Sequence, residues 1–186
     1  MKIALASDLH LEMSDIILKN SENADVLVLA GDILIANDLH DHPKPQTAYP
    51  PAVLKTLGSR QLKAQEYRDF ISRCAFEFPH GQFPNVHYLE RDTIVIDGIR
   101  FIGCTLWTDL NRGDPMTLHA IGDMMNDYQV IRHDGKGYTK LRPAHTLERH
   151  RQSVEYIKFI LTQYRDEPTV VVGHHAPTPL SIHEHY

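Results

Sequence analysis

The hydrophobic positions of the chain fall into short, near-continuous runs separated by polar stretches. Residues 2–6 (KIALA), 25–30 (DVLVLA) and 168–173 (PTVVVG) are apolar at almost every position, the pattern of strands buried on both faces of a sheet. Between Val86 and Thr105 the runs VHYLE, TIVID and IRFIGCT predict three further short strands. The Asp97-Gly98 pair between the last two is a two-residue hairpin signal. Helical patterns lie at 59–77 (SRQLKAQEYRDFISRCAFE) and 144–164 (AHTLERHRQSVEYIKFILTQY). In the second, Leu147, Val154, Ile157 and Leu161 recur at helical spacing with charges on the other face, and Pro143 just ahead suits a first helical position. Residues 39–51 carry four prolines and predict a loop, while residues 106–142 show no dominant period. Strands alternating with helices around a hairpin-rich middle predict an α/β domain with a mixed sheet, and 186 residues fit a single domain, 1–186.

Composition narrows the functional classes. Nineteen Lys and Arg against 24 Asp and Glu leave a net charge of −5, with 42% hydrophobic residues. That balance excludes an intrinsically disordered chain and a protein that coats nucleic acid through bulk positive charge. No run approaches the roughly 18 apolar residues of a membrane span. The start, MKIALASDLH, meets an acid at Asp8 after a short apolar stretch and does not read as a secretory signal. Cys74 and Cys104 are the two cysteines, too few for a disulfide scaffold and consistent with a reducing, cytoplasmic setting. Histidine is in surplus, with 13 residues, and it is the commonest metal ligand and the usual acid or base at neutral pH.

The chemistry sits where the strands end. In open α/β sheets, ligands bind beyond the carboxyl ends of the strands. Asp8 and His10 follow the first apolar run, Asp32 follows the second, and His174 and His175 follow the last. Taken singly, each has a plainer reading: Asp-x-His as a helix cap, Gly-Asp as a turn, His-His as a loop feature. Together, in order and at the same structural position, they favour one cluster of carboxylates and imidazoles. Such a donor set suits a divalent cation such as Mn, Fe or Zn, and without a cation the clustered carboxylates would perturb one another's protonation.

The segments SDLH (Ser7 to His10), LAGDI (Leu29 to Ile33) and VVVGHHAP (Val170 to Pro177) resemble motifs of the calcineurin-like metallophosphoesterase superfamily. The stretch FIGCTLWTDL (Phe101 to Leu110) resembles a segment of one bacterial and phage branch of uncharacterised phosphoesterases. The resemblance runs through most of the chain in the expected order. It implies an αββα sandwich with mixed sheets and a two-metal site at the carboxyl ends of the core strands. Asp8 and His10 would bind the first metal, Asp32 would bridge both, and His174 would bind the second. His175 would line the pocket or brace a ligand through a hydrogen bond. The implied activity is hydrolysis of a phosphomono- or phosphodiester by a hydroxide held between the metals, on a small or nucleotide-derived substrate.

The chain departs from the superfamily pattern in two places. G-N-H-[DE], with the proton-donor histidine, is absent, so no catalytic acid is assigned; the closing G-H-x-H is absent as well. After the 59–77 helix the text reads PHGQFPNVHYLE, with no apolar run for the next core strand. A strand and its motif are therefore expected to be missing near His80-Gly81, with a further segment after Tyr186. Secondary candidates are His40, Asp41 and His42 in the Pro-rich loop, Asp38 beyond the Asp32 motif, Trp107, Thr108 and Asp109 as a pocket wall, and Asp123, Asn126 and Asp127 along the cleft. Lys140, Arg142, Arg149 and Arg151 form a basic cluster that reads either as a phosphate contact or as a solvated helix face. The absence of an extended basic surface with interleaved aromatics disfavours a DNA-nuclease role. The competing function is a catalytically inactive scaffold of the same fold that binds a protein partner; the missing motifs favour it, and the charged strand ends oppose it.

Overall fold

A computed structural model describes residues 1–10, 18–32, 52–55, 86–131 and 139–181. The strands form two small mixed sheets. The first has the order β1 (Ile3–Ala6), β2 (Val26–Leu29), β3 (Ala52–Lys55), β4 (Val86–Tyr88). In it β1 and β2 run parallel, with Ile3 opposite Val26, whereas β3 is antiparallel to both of its neighbours. The second sheet is β5 (Asp92–Ile96), β6 (Ile99–Cys104), β7 (Thr169–Gly173). There β5 and β6 form the expected hairpin, and β7 lies parallel to β6 with Phe101 opposite Val170. Asp97 and Gly98 at the hairpin tip take φ of 48° and 80°, the two positive values that a tight turn matching strand twist requires.

The two sheets share one core. Val26, Val28 and Ala30 from the first meet Ile96, Phe101 and Val172 from the second, with Leu89 between them. Gly103 on β6 is where the approach is tightest, since a methyl group there would run into the Leu89 side chain. Burying these groups removes apolar surface from water at about 25 cal/mol per Å², and the shared core fixes how the carboxyl ends of β2 and β7 meet.

The helices follow β6. After Thr105 the chain makes a left-handed turn at Leu110–Gly113, in which Asn111 and Arg112 have φ of 53° and 60°. Helix α1 (Pro115–Met124) begins with Asp114 as its cap: Oδ2 accepts from the Thr117 amide at 2.8 Å and its hydroxyl at 2.9 Å. These donors hold the Asp114 carboxyl below the usual carboxylate range. A short α2 (Asp127–Val130) follows. Trp107, Tyr128, Ile131 and Leu141 form a second apolar cluster around it. Helix α3 (Pro143–Gln163) then leads back to β7, with Pro143 in its first turn as the sequence predicts.

Four features differ from the sequence expectation or add to it. β1 is open rather than covered on both faces: Ile3 and Leu5 are 41% and 70% exposed. Among the described residues it pairs with β2 alone, at the end of its sheet. β3 is a strand that the pattern does not announce, because AVLK is only four residues long and follows a proline-rich stretch; its pairing with β2 and β4 makes it a strand. The inward face of α3 is carried by Thr146, Leu147, Ser153 and Ile160, whereas Leu161 is 40% exposed. Thr146 sits inward because partners await it. The Thr146 hydroxyl donates to the Pro143 carbonyl and pairs with Tyr128 Oη, each at 2.9 Å. Fourth, Arg100 of β6 is buried, with its guanidinium 3.6 Å over the Tyr164 ring and Nε and Nη2 donating to Glu167 Oε2 at 3.1 and 2.8 Å. This contact ties β6 to the end of α3. The helix expected at 59–77, the loop at 39–51, and His80-Gly81 lie outside the described residues. Among the described residues no helix is long and apolar enough to cross a membrane.

Candidate metal centre

Because β1 and β2 are parallel, both chains leave the sheet at the same edge, and their ladder continues beyond the strands. Ala30 donates its amide to the Ala6 carbonyl at 2.9 Å, Asp8 to Gly31 at 3.0 Å, and His10 to Asp32 at 3.1 Å. These bonds hold the two loops side by side. Asp8, His10 and Asp32 all adopt left-handed backbone, with φ of 52°, 44° and 46°. For a residue with a Cβ this conformation costs roughly 1–3 kcal/mol, and such residues concentrate at functional sites. Ladder and strain together place three chemistry-bearing side chains in one spot. One ligand atom from each of Asp8, His10 and Asp32 lies within 4.8 Å of the others. Asp8 is exposed, and the other two are half-buried. The set is close enough to share a cation.

His174 reaches the same carboxylate from the other sheet. Its Nε2 is 3.4 Å from Asp32 Oδ2. Gly31 makes room for it: a Cβ there would stand 2.6 Å from the imidazole, and φ of +124° is a conformation only glycine adopts easily. The hydrogen bond from His174, with the positive charges of nearby imidazoles, lowers the Asp32 pKa despite partial burial. The same bond and the Asp8 and Asp32 charges raise that of His174. A backbone hydrogen bond at Ala30 raises it further. Asp32 therefore sits between two groups, Asp8 and His10 on one side and His174 on the other.

His175 is held differently. Its ring Nδ1 is 3.0 Å from the Thr105 carbonyl oxygen. A carbonyl only accepts, so Nδ1 carries the proton. The ring stacks on Trp107 with centroids 4.9 Å apart and meets His174 edge-on at 5.0 Å. Burial lowers the His175 pKa, partly offset by the Thr105 bond and by the charges of Asp127 and Asp32. Thr105 is itself anchored: Glu90 Oε2 accepts from its amide at 2.9 Å and its hydroxyl at 2.8 Å. Neither Glu90 nor Gly31 stands out in the sequence, because one reads as a strand-end acid and the other as half of a Gly-Asp turn.

The structure thus brings together Asp8, His10, Asp32, His174 and His175. Of the secondary candidates, Trp107 and Asp127 approach the cluster through His175. Thr108, Asp109, Asp123 and Asn126 are exposed. Lys140 donates to Gln129 at 3.3 Å, and the Arg142 amide donates to His145 Nδ1 at 3.2 Å. Both bonds organise the approach to α3. Asp38, His40, Asp41 and His42 lie outside the described residues.

Comparison with known proteins adds little to this geometry. An uncharacterised protein of Acanthamoeba polyphaga mimivirus is 30% identical over 99 residues, which make up 52% of this chain and 33% of that protein. A mycothiol acetyltransferase of Acidimicrobium ferrooxidans is 31% identical over 90 residues, 48% of this chain and 26% of that enzyme. The chain spans about a third of the length of the first and about a quarter of the second. No protein-family model matches the chain, and no solved structure matches it.

Proposed function

We propose that the chain is a metal-dependent phosphoesterase of the calcineurin-like type, and that its two sheets belong to a metallophosphatase-type αββα sandwich. The observation that carries the reading is the position of the Asp32 carboxylate. It is shared between the Asp8–His10 pair, whose ligand atoms lie with its own within 4.8 Å, and His174 Nε2 at 3.4 Å. Oxygen and imidazole nitrogen donors in this proportion fit Mn, Fe or Zn.

Asp8 and His10 would hold one divalent ion and His174 the other, with Asp32 between them. Bound there, two ions supply a low-pKa water and positive charge for the phosphoryl oxygens. The residues of the chain prepare that chemistry. The Asp32 carboxylate is ionised at neutral pH, and the hydrogen bond from His174 lowers its pKa further. The left-handed backbone at Asp8, His10 and Asp32 accompanies the backbone ladder that continues beyond the strands. Asp8 at the exposed rim leaves the cluster accessible to a small phosphoester.

The name of the Acidimicrobium relative offers acetyl transfer as a second reading. Acyl transfer from a thioester does not call for a shared carboxylate between imidazoles, so the cluster favours the first. The purified chain, assayed with Mn²⁺ on an aryl phosphate and its diester and in parallel with acetyl-coenzyme A and an amine, decides between them. Mn²⁺-dependent release of the aryl alcohol is expected. A chain that binds no metal and turns over neither ester overturns the phosphoesterase, and acetyl transfer in the parallel assay installs the alternative.

A further inference from the structure

We propose that Glu90, acting through Thr105, fixes His175 in its Nδ1–H form and so presents the Nε2 lone pair as a hydrogen-bond acceptor at the strand-end cluster, which makes Glu90 a positioning residue for the site. The inference rests on the phosphoesterase reading only for what the acceptor is used for; the positioning itself stands on hydrogen-bond geometry.

The chain of contacts is continuous. The Glu90 carboxylate is held on both oxygens: Oε1 faces Arg91 Nη1 at 3.3 Å, and Oε2 accepts from the amide and hydroxyl of Thr105 at 2.9 and 2.8 Å. With two donors of Thr105 committed to one oxygen, the peptide that follows is fixed in direction. Its carbonyl accepts from the His175 ring Nδ1 at 3.0 Å and lies 3.5 Å from the His175 amide. Trp107 lies against one side of the ring at a 30° tilt and the His174 ring stands nearly perpendicular to it, so the ring is packed on two sides. A neutral imidazole carries one proton. With that proton on Nδ1, Nε2 is an acceptor, the reverse of the tautomer a solvated histidine prefers. Hydrogen bonds of this kind orient the imidazoles around metal sites, and their loss commonly lowers affinity or activity 10–100-fold.

The test uses the full chain, metal-stripped and ¹⁵N-labelled on histidine, at about pH 8, where an ordinary histidine is neutral. Long-range proton–nitrogen correlation reads the tautomer, and His175→Gln identifies the His175 signals by their loss. The wild-type chain is expected to show a protonated Nδ1 and a bare Nε2 at His175. Glu90→Ala is expected to shift His175 towards the Nε2–H form, and Glu90→Gln, whose amide oxygen accepts the same two bonds, to restore the wild-type pattern. A wild-type His175 protonated on Nε2, or a Glu90→Ala spectrum identical to wild type, overturns the positioning role; the first needs no variant to fold. With Mn²⁺ and an aryl phosphate, Glu90→Ala is expected to lower kcat at least about 10-fold with little change in KM, and Glu90→Gln to recover it. A tautomer shift with unchanged kcat overturns the functional part. An unreactive wild-type chain with the described tautomer instead refutes the phosphoesterase and leaves the positioning standing.

Discussion

His174 Nε2 stands 3.4 Å from Asp32 Oδ2, and the two residues come from different sheets, one at the end of β7 and one beyond β2. The contact joins the two halves of the fold at the point where the candidate ligands meet. Removing the Asp32 charge should therefore separate function from folding. Asp32→Asn is expected to abolish Mn²⁺-dependent ester hydrolysis, by about 100-fold, while the chain stays cooperatively folded and loses only the modest stability that the ion pair with His174 supplies. Parallel rate and melting measurements check this; retained activity would remove the shared-carboxylate mechanism.

The same pair sets a pH dependence in the metal-stripped chain. The His174 pKa is raised above its ordinary 6.5, so its contribution to stability is complete below that value and is lost as pH rises through the folded-state pKa. The Asp32 pKa is lowered below its ordinary 3.8. Its contribution is present above that value and is lost as pH falls through the folded-state pKa. Urea midpoints measured from about pH 5 to about pH 9 should decline towards the alkaline end, and the decline should flatten in His174→Gln. Metal affinity should run the other way and strengthen with rising pH, because His174 must release its proton to become a ligand.

Gly31 is where the His174 ring finds its space. Gly31→Ala adds a Cβ 2.6 Å from the imidazole at a φ of +124°. The expected result is a loss of roughly 1–3 kcal/mol in denaturant unfolding together with reduced metal binding. Calorimetric titration with Mn²⁺ on the folded variant reads the second effect separately from the first.

Arg100 is the buried link between β6 and the end of α3. Arg100→Ala removes the cation over Tyr164 and both bonds to Glu167. A cost of about 1–3 kcal/mol is expected, below the roughly 3–5 kcal/mol of a fully buried pair, because Glu167 is partly exposed and can rehydrate. Arg100→Lys should recover only part, since an ammonium lacks the planar fork. Denaturant midpoints with unchanged slopes check the ranking.

Cys104 lies fully buried on β6, and burial beside Glu90 pushes its thiol pKa up to about 11. The thiolate is the reactive form. Cys104 should stay unmodified by an aryl disulfide reagent at about pH 8 in the folded chain and react fully after denaturation. Peptide mass mapping assigns the modification to the residue.

Much of the frame is legible in the linear chain. Short apolar runs mark β1, β2 and β7, although of these three only β2 has a neighbour on each side among the described strands, and Ile3, Leu5 and Val171 of the other two are exposed; Asp97-Gly98 marks the hairpin because its turn needs two positive φ values. The polar residues after those runs mark Asp8, His10, Asp32, His174 and His175. A four-residue strand such as β3 carries too little pattern to be seen; only its antiparallel partners define it. The inward face of α3 is hidden for a related reason. Hydropathy ranks Leu161 above Thr146, whereas burial follows the available partners, and Tyr128 and Pro143 offer theirs to Thr146.

The chain by itself determined the apolar-run strands, the hairpin, the helix α3 and the identity of the groups that end the strands, since these follow from local periodicity and from residues adjacent in sequence. Only the tertiary structure decided that Asp32 meets His174, that Gly31 clears the space between them, and that Glu90 reaches His175 through Thr105. Those contacts join residues far apart along the chain. They exist because one apolar core holds two sheets in register and a parallel ladder carries the loops past the strand ends.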